Sequence, residues 1–473
     1  MKIVFYSTNS NKYAQGKLLF NMIPSCSTQW NELKKKYPEH EFTVVMQKPG
    51  MFLYDDVLPE SHDVRDGQSA RENQSAVDYI FIESENSSPE QIASVIIAQK
   101  PDVAIAVTYW TQPFDWMSIK DAMIAGLLRE KGVRTVCHSA ETAAVCFDKW
   151  RTHQFLTEHG FNCAKGVYVH HELFYAERNK LMVEENIYRE YVLSEIKKLK
   201  FPVVIKDTSG LSSFGMDVVK TFDEARHVLF SKKNNGDRLV EEFLEGPSFG
   251  IEVYGTDGKY TVTPPLINSV NQFGLTSPKQ NVKLGPVGFD RDGGCGFENE
   301  KSTAARFNID ALQTEILRLA ECLEFSGIAQ IDLVWSGDKW YIIEINSRIS
   351  GMTQTMAASM GLSLYELILF SAGLIQWMGD YSYVMNLKFP LLSDSELELL
   401  YKQPGVVAVN QIENKEAKQL REVGYTEVIF GKTKTLDETM QILENLNKVL
   451  PDKMEKIFYE NSKKLAQIIG EKV

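Results

Sequence analysis

The sequence predicts an α/β protein built from several subdomains, and three observations predict it. Short β-branched runs alternate with helical stretches over roughly the first 140 residues. An apolar strand near residue 205 runs into a loop of Gly and Ser. Further along, two apolar strands joined by Gly337-Asp338 carry polar residues at period two. The 473 residues suit about three domains at roughly 100–200 residues each.

Residues 1–140 form the first unit. Lys2–Tyr6, Glu41–Met46 and Val103–Val107 read as strands. A helix over Ser118–Glu130 stops before Gly132, and Val133–Cys137 is a further strand. That alternation predicts a parallel sheet, and no Gly-rich phosphate loop marks this unit as a nucleotide site. Residues 141–200 read as helical. One helix near Glu141–His159 carries Asp148-Lys149 and ends at Gly160; 170–200, rich in Glu, Lys, Arg and Tyr, reads as a solvated insertion. Residues 201–254 and 255–380 hold the chemistry. In the small α/β unit 381–473, Val406–Val409 and Glu427–Phe430 read as strands, and Thr435-Leu-Asp-Glu438 is a capping box opening a final helix.

Composition narrows the function classes. A formal charge of −12 argues against a general nucleic-acid binder, which needs a basic face. The six cysteines contain no CxxC pair, so zinc is not indicated and reduced thiols in a cytoplasm are expected. Met1–Tyr6 reads as a strand too short to be a secretory leader. The apolar stretch Leu362–Met378 contains Glu366 and Gln376 and reads as a buried helix, since a membrane span needs about 20 apolar residues.

Phe201-Pro-Val-Val-Ile205 delivers Lys206, and a loop containing Gly210, Ser212, Ser213 and Gly215 follows. Small residues after a strand let backbone N–H groups approach phosphate oxygens, with Lys206 supplying positive charge. A plain turn beside a surface lysine is the alternative. Glu241–Leu244, ahead of the Gly246-Pro247 turn, can offer backbone polar groups beside an apolar wall, as an adenine requires; an ordinary edge strand fits it too.

The sharpest signal is carboxylate-rich. Asp332 lies on the strand Ile328–Val334, and Glu344 and Asn346 lie on Trp340–Asn346. Residues two apart on a strand share a face, and a hairpin at Gly337-Asp338 brings Asp332 to that face. Three oxygen donors suit Mg²⁺, which takes a few carboxylates plus phosphate oxygens, with Mn²⁺ as an alternative ion. Arg348, two further on, can hold a carboxylate or phosphate with its planar fork. Asn268–Pro286 reads as a substrate loop, in which Lys279 and Lys283 suit anions or are plain solvated surface.

Asp148-Lys149, Pro202–Met216, Glu241–Gly246, Asp332 and Glu344-Ile-Asn346-Ser-Arg348 together resemble the ATP-grasp superfamily over roughly residues 141–375. The Pro-Val-Val-Ile-Lys…Ser-Ser-Phe-Gly-Met run is similar to D-alanine–D-alanine ligases. The Glu-Ile-Asn-Ser-Arg run and the extra C-terminal unit are similar to L-amino-acid (dipeptide) ligases. The resemblance implies a pre-grasp domain at 1–140 and a lid subdomain at 201–254. It implies a catalytic subdomain with a central antiparallel sheet at 255–380. By it, Lys149 and Lys206 contact ATP phosphates, while Glu241 and the backbone of Phe243 and Leu244 bind adenine. Asp332, Glu344 and Asn346 hold magnesium, and Arg348 meets the acyl phosphate. Two positions depart from the pattern. Ser248 stands where many members carry a ribose-binding glutamate, with Glu252 a substitute, and Gln330 replaces an arginine, leaving Arg348 as the oxyanion stabiliser. The implied activity joins a small carboxylate to an amine through an acyl phosphate, with ATP and Mg²⁺, and a homodimer, the commonest homo-oligomer, is the expected assembly. A carboxylase, a kinase-like enzyme or a non-catalytic ATP-binding module on the same scaffold are the alternatives.

Overall fold

The structure is a computed structural model. It describes residues 1–8, 18–46, 52–55, 76–82, 87–107, 109, 117–177, 185–209, 215–231, 234–276, 281–289, 303–414 and 424–470. Three sheets organise them. The first is five-stranded and all parallel, in the order Asp78–Phe81, Glu41–Met46, Lys2–Tyr6, Val103–Ala106, Arg134–Val136. Its strands bury side chains on both faces, as Ile3, Val4, Phe5 and Tyr6 do, which is the pattern a helix-covered parallel sheet requires.

The second sheet is small and antiparallel: Gly166–Val169, Arg238–Glu242, Val203–Asp207 and Asp217–Val219. One face packs Val203, Ile205, Val219 and Val240 against Phe174, Tyr175, Val192, Leu193 and Ile196. Those last five come from the stretch read as a solvated insertion. The helix Ile187–Lys197 is amphipathic, and its buried face supplies the core under this sheet, so that reading is corrected. Lys206 and Glu241 lie on the other face.

The third sheet has ten strands and joins segments far apart in sequence. Its order is Lys339–Asn346, Gly327–Ser336, Ser248–Thr256, Leu266–Asn268, Lys283–Gly285, Tyr383–Phe389, Gly424–Thr433, Val406–Asn414 and Leu18–Ile23, with Lys259–Val262 paired beside Ser248–Thr256. Strands from 381–473 and one strand from the first 140 residues thus extend the sheet that carries Asp332. One face is the largest apolar core, with Phe249, Ile251, Val253, Ile331, Leu333, Ile345, Met385, Leu387, Val428 and Phe430. By strict alternation the other face collects Gly250, Glu252, Asp332, Glu344, Lys283, Asn386, Lys388 and Glu427.

Several elements differ in extent from expectation. The expected helix at 141–159 is two, Ala140–Phe147 and Lys149–Glu158. Asp148 ends the first at extended φ/ψ and caps the second, its carboxylate accepting from Trp150 N and Arg151 N, a stronger local arrangement than continuing the helix through an aspartate. The apolar stretch after 362 is helical only over Leu364–Ser371, and Met378 is exposed. The capping box at Thr435 opens Leu436–Val449 as read, but a further helix, Lys456–Gly470, follows it. Among the described residues no helix is long and apolar enough to cross a membrane.

Candidate active site

The hairpin between Gly327–Ser336 and Lys339–Asn346 turns at Gly337 and Asp338, both at positive φ (54° and 56°), as a two-residue turn matching strand twist requires. Its register sets Asp332 opposite Glu344 and Gln330 opposite Asn346. A bulge follows Asp332/Leu333, which re-aims the strand beside the cluster. Gln330 bridges the group: its Nε2 donates to Asp332 Oδ1 (2.7 Å), and its Oε1 accepts from Asn346 Nδ2 (2.9 Å). Arg348 Nη2 donates to Asn346 Oδ1 (3.1 Å) and Nη1 to the Ile349 carbonyl (3.1 Å). Gln330 therefore holds donors in place, a role that its neutrality in sequence did not reveal.

Gly250 makes this packing possible. It pairs with Asp332, and a Cβ there would lie 2.7 Å from Met352 Sδ and 3.4 Å from Gln330 Nε2.

The electrostatics separate the two carboxylates. Burial, then the charge of Glu344, pushes Asp332 up to about 7, against the pull of Gln330, Lys283 and Arg348. Glu344 is half-buried, and the desolvation this brings is outweighed by Lys149, Lys206 and Arg348, which hold it below the usual carboxylate range. Lys149 Nζ lies 2.9 Å from Glu344 Oε1, and Lys206 Nζ lies 2.5 Å from Glu241 Oε2. Lys149 N also donates to the Thr208 carbonyl (2.7 Å), tying the helix start to the end of the strand Val203–Asp207. The two lysines thus share one space with the carboxylate hairpin. Among the described residues no three His, Cys, Asp or Glu side chains converge as a metal cluster. The set is two carboxylates and an amide, one carboxylate raised by desolvation and then by its like-charged neighbour. That donor chemistry fits a magnesium ion sharing phosphate oxygens.

At the hinge, Glu241 lies diagonal to Lys206 across the ladder. The Phe243 N–H donates to the Pro202 carbonyl (3.0 Å), which leaves the Phe243 carbonyl and the Leu244 N–H as its backbone polar pair. Gly274 sits at φ 75°, and a Cβ there would lie 2.5 Å from Phe243 Cζ, so the loop after Asn268 packs on the hinge. Lys283 is buried on the site face; burial lowers its pKa, against Glu427, Asp332 and Glu252. Ser212, Ser213 and Lys279 lie outside the described residues.

Glu252 is corrected as a ribose ligand. It is wholly buried, accepting from Thr353 Oγ1 (2.6 Å), Ser350 Oγ (3.3 Å) and the Tyr254 hydroxyl. Burial raises its pKa to about 7. It braces the segment after Arg348 and has no surface left for a sugar. Tyr109 and Glu427, missed in the sequence, also approach the site. Gly351, where a Cβ would lie 3.6 Å from Tyr109 Oη and 4.0 Å from Lys283 Nζ, marks how closely they converge.

Residues 146–352 match the family model described as an ATP-grasp domain. The chain is 27% identical over 260 residues to a D-alanine–D-alanine ligase of Buchnera aphidicola subsp. Schizaphis graminum, covering 53% of this chain and 76% of that one. It is 27% identical over 179 residues to a carbamoyl-phosphate synthase of Methanobrevibacter smithii, covering 37% of this chain and 44% of that relative, less than half its length. Its fold is similar to the crystal structure of an L-amino acid ligase from Bacillus licheniformis, with a TM-score of 0.61, 14% identity, and 95% and 97% of the two chains covered.

Proposed function

We propose, on the premise that residues 146–352 form an ATP-grasp domain, that this protein is an ATP-dependent ligase. It joins a small carboxylate, an amino acid in the first instance, to an amine with release of ADP and phosphate. The observation that carries the reading is the meeting of Lys149, Glu344, Asp332 and Arg348 at one hairpin. Only a reaction that gathers phosphate, metal and carboxylate in one place needs that set.

Each residue has a task in this reading. Lys149 and Lys206 exchange their glutamate partners for phosphate oxygens. Glu241 and the Phe243–Leu244 backbone hold adenine. Asp332, Glu344 and Asn346 would hold Mg²⁺, which when bound offsets phosphate charge. The carboxylate then attacks the γ-phosphorus in line, and the protein contributes positioning and charge. Arg348, with its planar guanidinium, steadies the oxygen on which negative charge grows when the amine attacks the acyl carbon. Gln330 and Asn346 fix the angle of that guanidinium. Ser212, Ser213 and Lys279 complete the nucleotide and substrate loops, and Lys283 faces the anionic substrate. We place the protein in the cytoplasm as a homodimer acting on small molecules.

Phosphate release screened over all pairs of amino acids and small carboxylates, with product masses, tests this. Release that requires both partners and yields an amide is expected. Release driven by bicarbonate with no amine would transfer the site to a carboxylase.

A further inference from the structure

On the site-facing side of the ten-stranded sheet, a polar row runs across four neighbouring strands. Lys283 lies opposite Asn386, Lys388 opposite Glu427, and Glu427 opposite Asn410. Glu427 is 7% exposed and Lys283 8%. Among the described residues, neither makes a hydrogen bond or an ion pair through its side chain. Their charges nevertheless feel each other: Glu427 is the strongest charged neighbour of Lys283, ahead of Asp332. Asn386 and Asn410 each keep a buried amide oxygen without a partner.

Neither charge is fully enclosed, so both face the space on this side of the sheet with no partner of their own among the described residues. A ligand carrying a positive group completes Glu427 and reaches the two amide oxygens. The walls suit such a ligand. The Tyr425 ring lies beneath the Lys388 ammonium, 4.3 Å from its centroid, and Tyr425 neighbours both Glu427 and Tyr109. Tyr109 in turn meets Gly351 beside Lys283. The row therefore starts three strands from Asp332, within electrostatic reach of it, and ends on strands contributed by the C-terminal segment.

We propose that this row is the subsite of the amine substrate and that Glu427 holds its ammonium group. The proposal rests on the ligase reading above and adds to it that the C-terminal segment selects the second substrate, an amino acid or other primary amine. One ammonium proton passes to the Glu427 carboxylate. The freed lone pair forms the C–N bond at the acyl carbon, the bond from that carbon to the phosphate oxygen breaks, and a second nitrogen proton leaves with phosphate.

Hydroxylamine, which is neutral near pH 7.5, reaches an acyl phosphate without an ammonium subsite. The full-length protein is given ATP, Mg²⁺, the carboxylate from the screen and a mixture of hydroxylamine and the amine acceptor. In Glu427→Gln the ratio of hydroxamate to amide should rise at least about tenfold, as expected for losing one charge-assisted bond. The KM for the acceptor should carry most of that change. A folded Glu427→Gln with the wild-type ratio overturns the subsite. Should that variant lack a melting transition, Glu427→Asp, which retracts the carboxylate by one carbon, should shift the ratio the same way, and an unshifted ratio there overturns it equally. Absence of hydroxamate from the wild type with every carboxylate is a different result, which removes the ligase reading itself.

Discussion

Asp332 and Glu344 face each other in register yet titrate apart, and that separation has a measurable consequence. With Asp332 near 7, a divalent cation must displace a proton below that pH. Magnesium affinity of the nucleotide-free protein, followed by calorimetry, should therefore rise between pH 6 and 8 and level off above. A flat profile would place the ion elsewhere. Arg348 gives a second prediction. Losing one oxyanion donor costs on the order of a hundredfold to a thousandfold in rate. Arg348→Ala should lose turnover to that degree with ATP affinity and melting temperature near wild type. Arg348→Lys keeps the charge but loses the fork, so it should also be impaired. A purely structural arginine predicts instead a lowered melting temperature and activity recovered in the cold. At this scale the sequence is informative where chemistry is local. Period two and one turn suffice to bring Asp332, Glu344 and Asn346 together. Lys149 meeting Glu344, Gln330 bridging the donors and Glu427 approaching Lys283 depend on register between distant segments, which residue spacing does not encode.

Elements carry the next lesson. The strands around the site appear much as their β-branched runs and turn residues predict, because pleat and turn are short-range properties. The helices are read less well. Asp148 breaks one helix into two through its own side-chain cap, and Ile187–Lys197 buries a face where composition alone reads as solvated. Both depend on what lies across from the element. Gly250 shows how an element's sequence serves the site, since its missing side chain admits Met352 and Gln330. Gly250→Ala should destabilise by about 1–3 kcal/mol, as overpacking does, measured by urea unfolding. It should also slow turnover by displacing Gln330. A variant as stable and as active as wild type would show that Met352 yields freely.

At the scale of the whole molecule, three acids, two of them buried and Asp332 half-buried, shape the response to pH. Asp121, Glu252 and Asp332 are each raised to about 7, chiefly by burial. In the unfolded chain they titrate near their ordinary values, about 4. Between roughly pH 4 and 7 the folded state therefore binds more protons than the unfolded state, and stability must fall as pH rises through that window. His138, which burial lowers to about 4, opposes one of the three within this window and leaves the net fall; Glu344, held low, also acts in the opposite sense, and its contribution is lost only as pH falls below its ordinary range. Metal-free protein should show a declining unfolding free energy from about pH 5 to 7, and magnesium should remove the part due to Asp332. A free energy that rises across that window would contradict the burial argument. The overall architecture is only partly legible in the sequence. The parallel first sheet follows from strand–helix alternation. The fusion of the C-terminal strands and Leu18–Ile23 into the sheet bearing Asp332 does not, because strand pairing over such separations leaves no local pattern.

The account turns on an acyl phosphate, and oxygen labelling tests it most directly. The carboxylate substrate is supplied with both oxygens as ¹⁸O, together with unlabelled ATP and the amine. Attack on the γ-phosphorus followed by displacement predicts one ¹⁸O in the inorganic phosphate and one in the amide, with ADP unlabelled. Phosphate free of label, with the displaced ¹⁸O found in the nucleotide or in water, would contradict it.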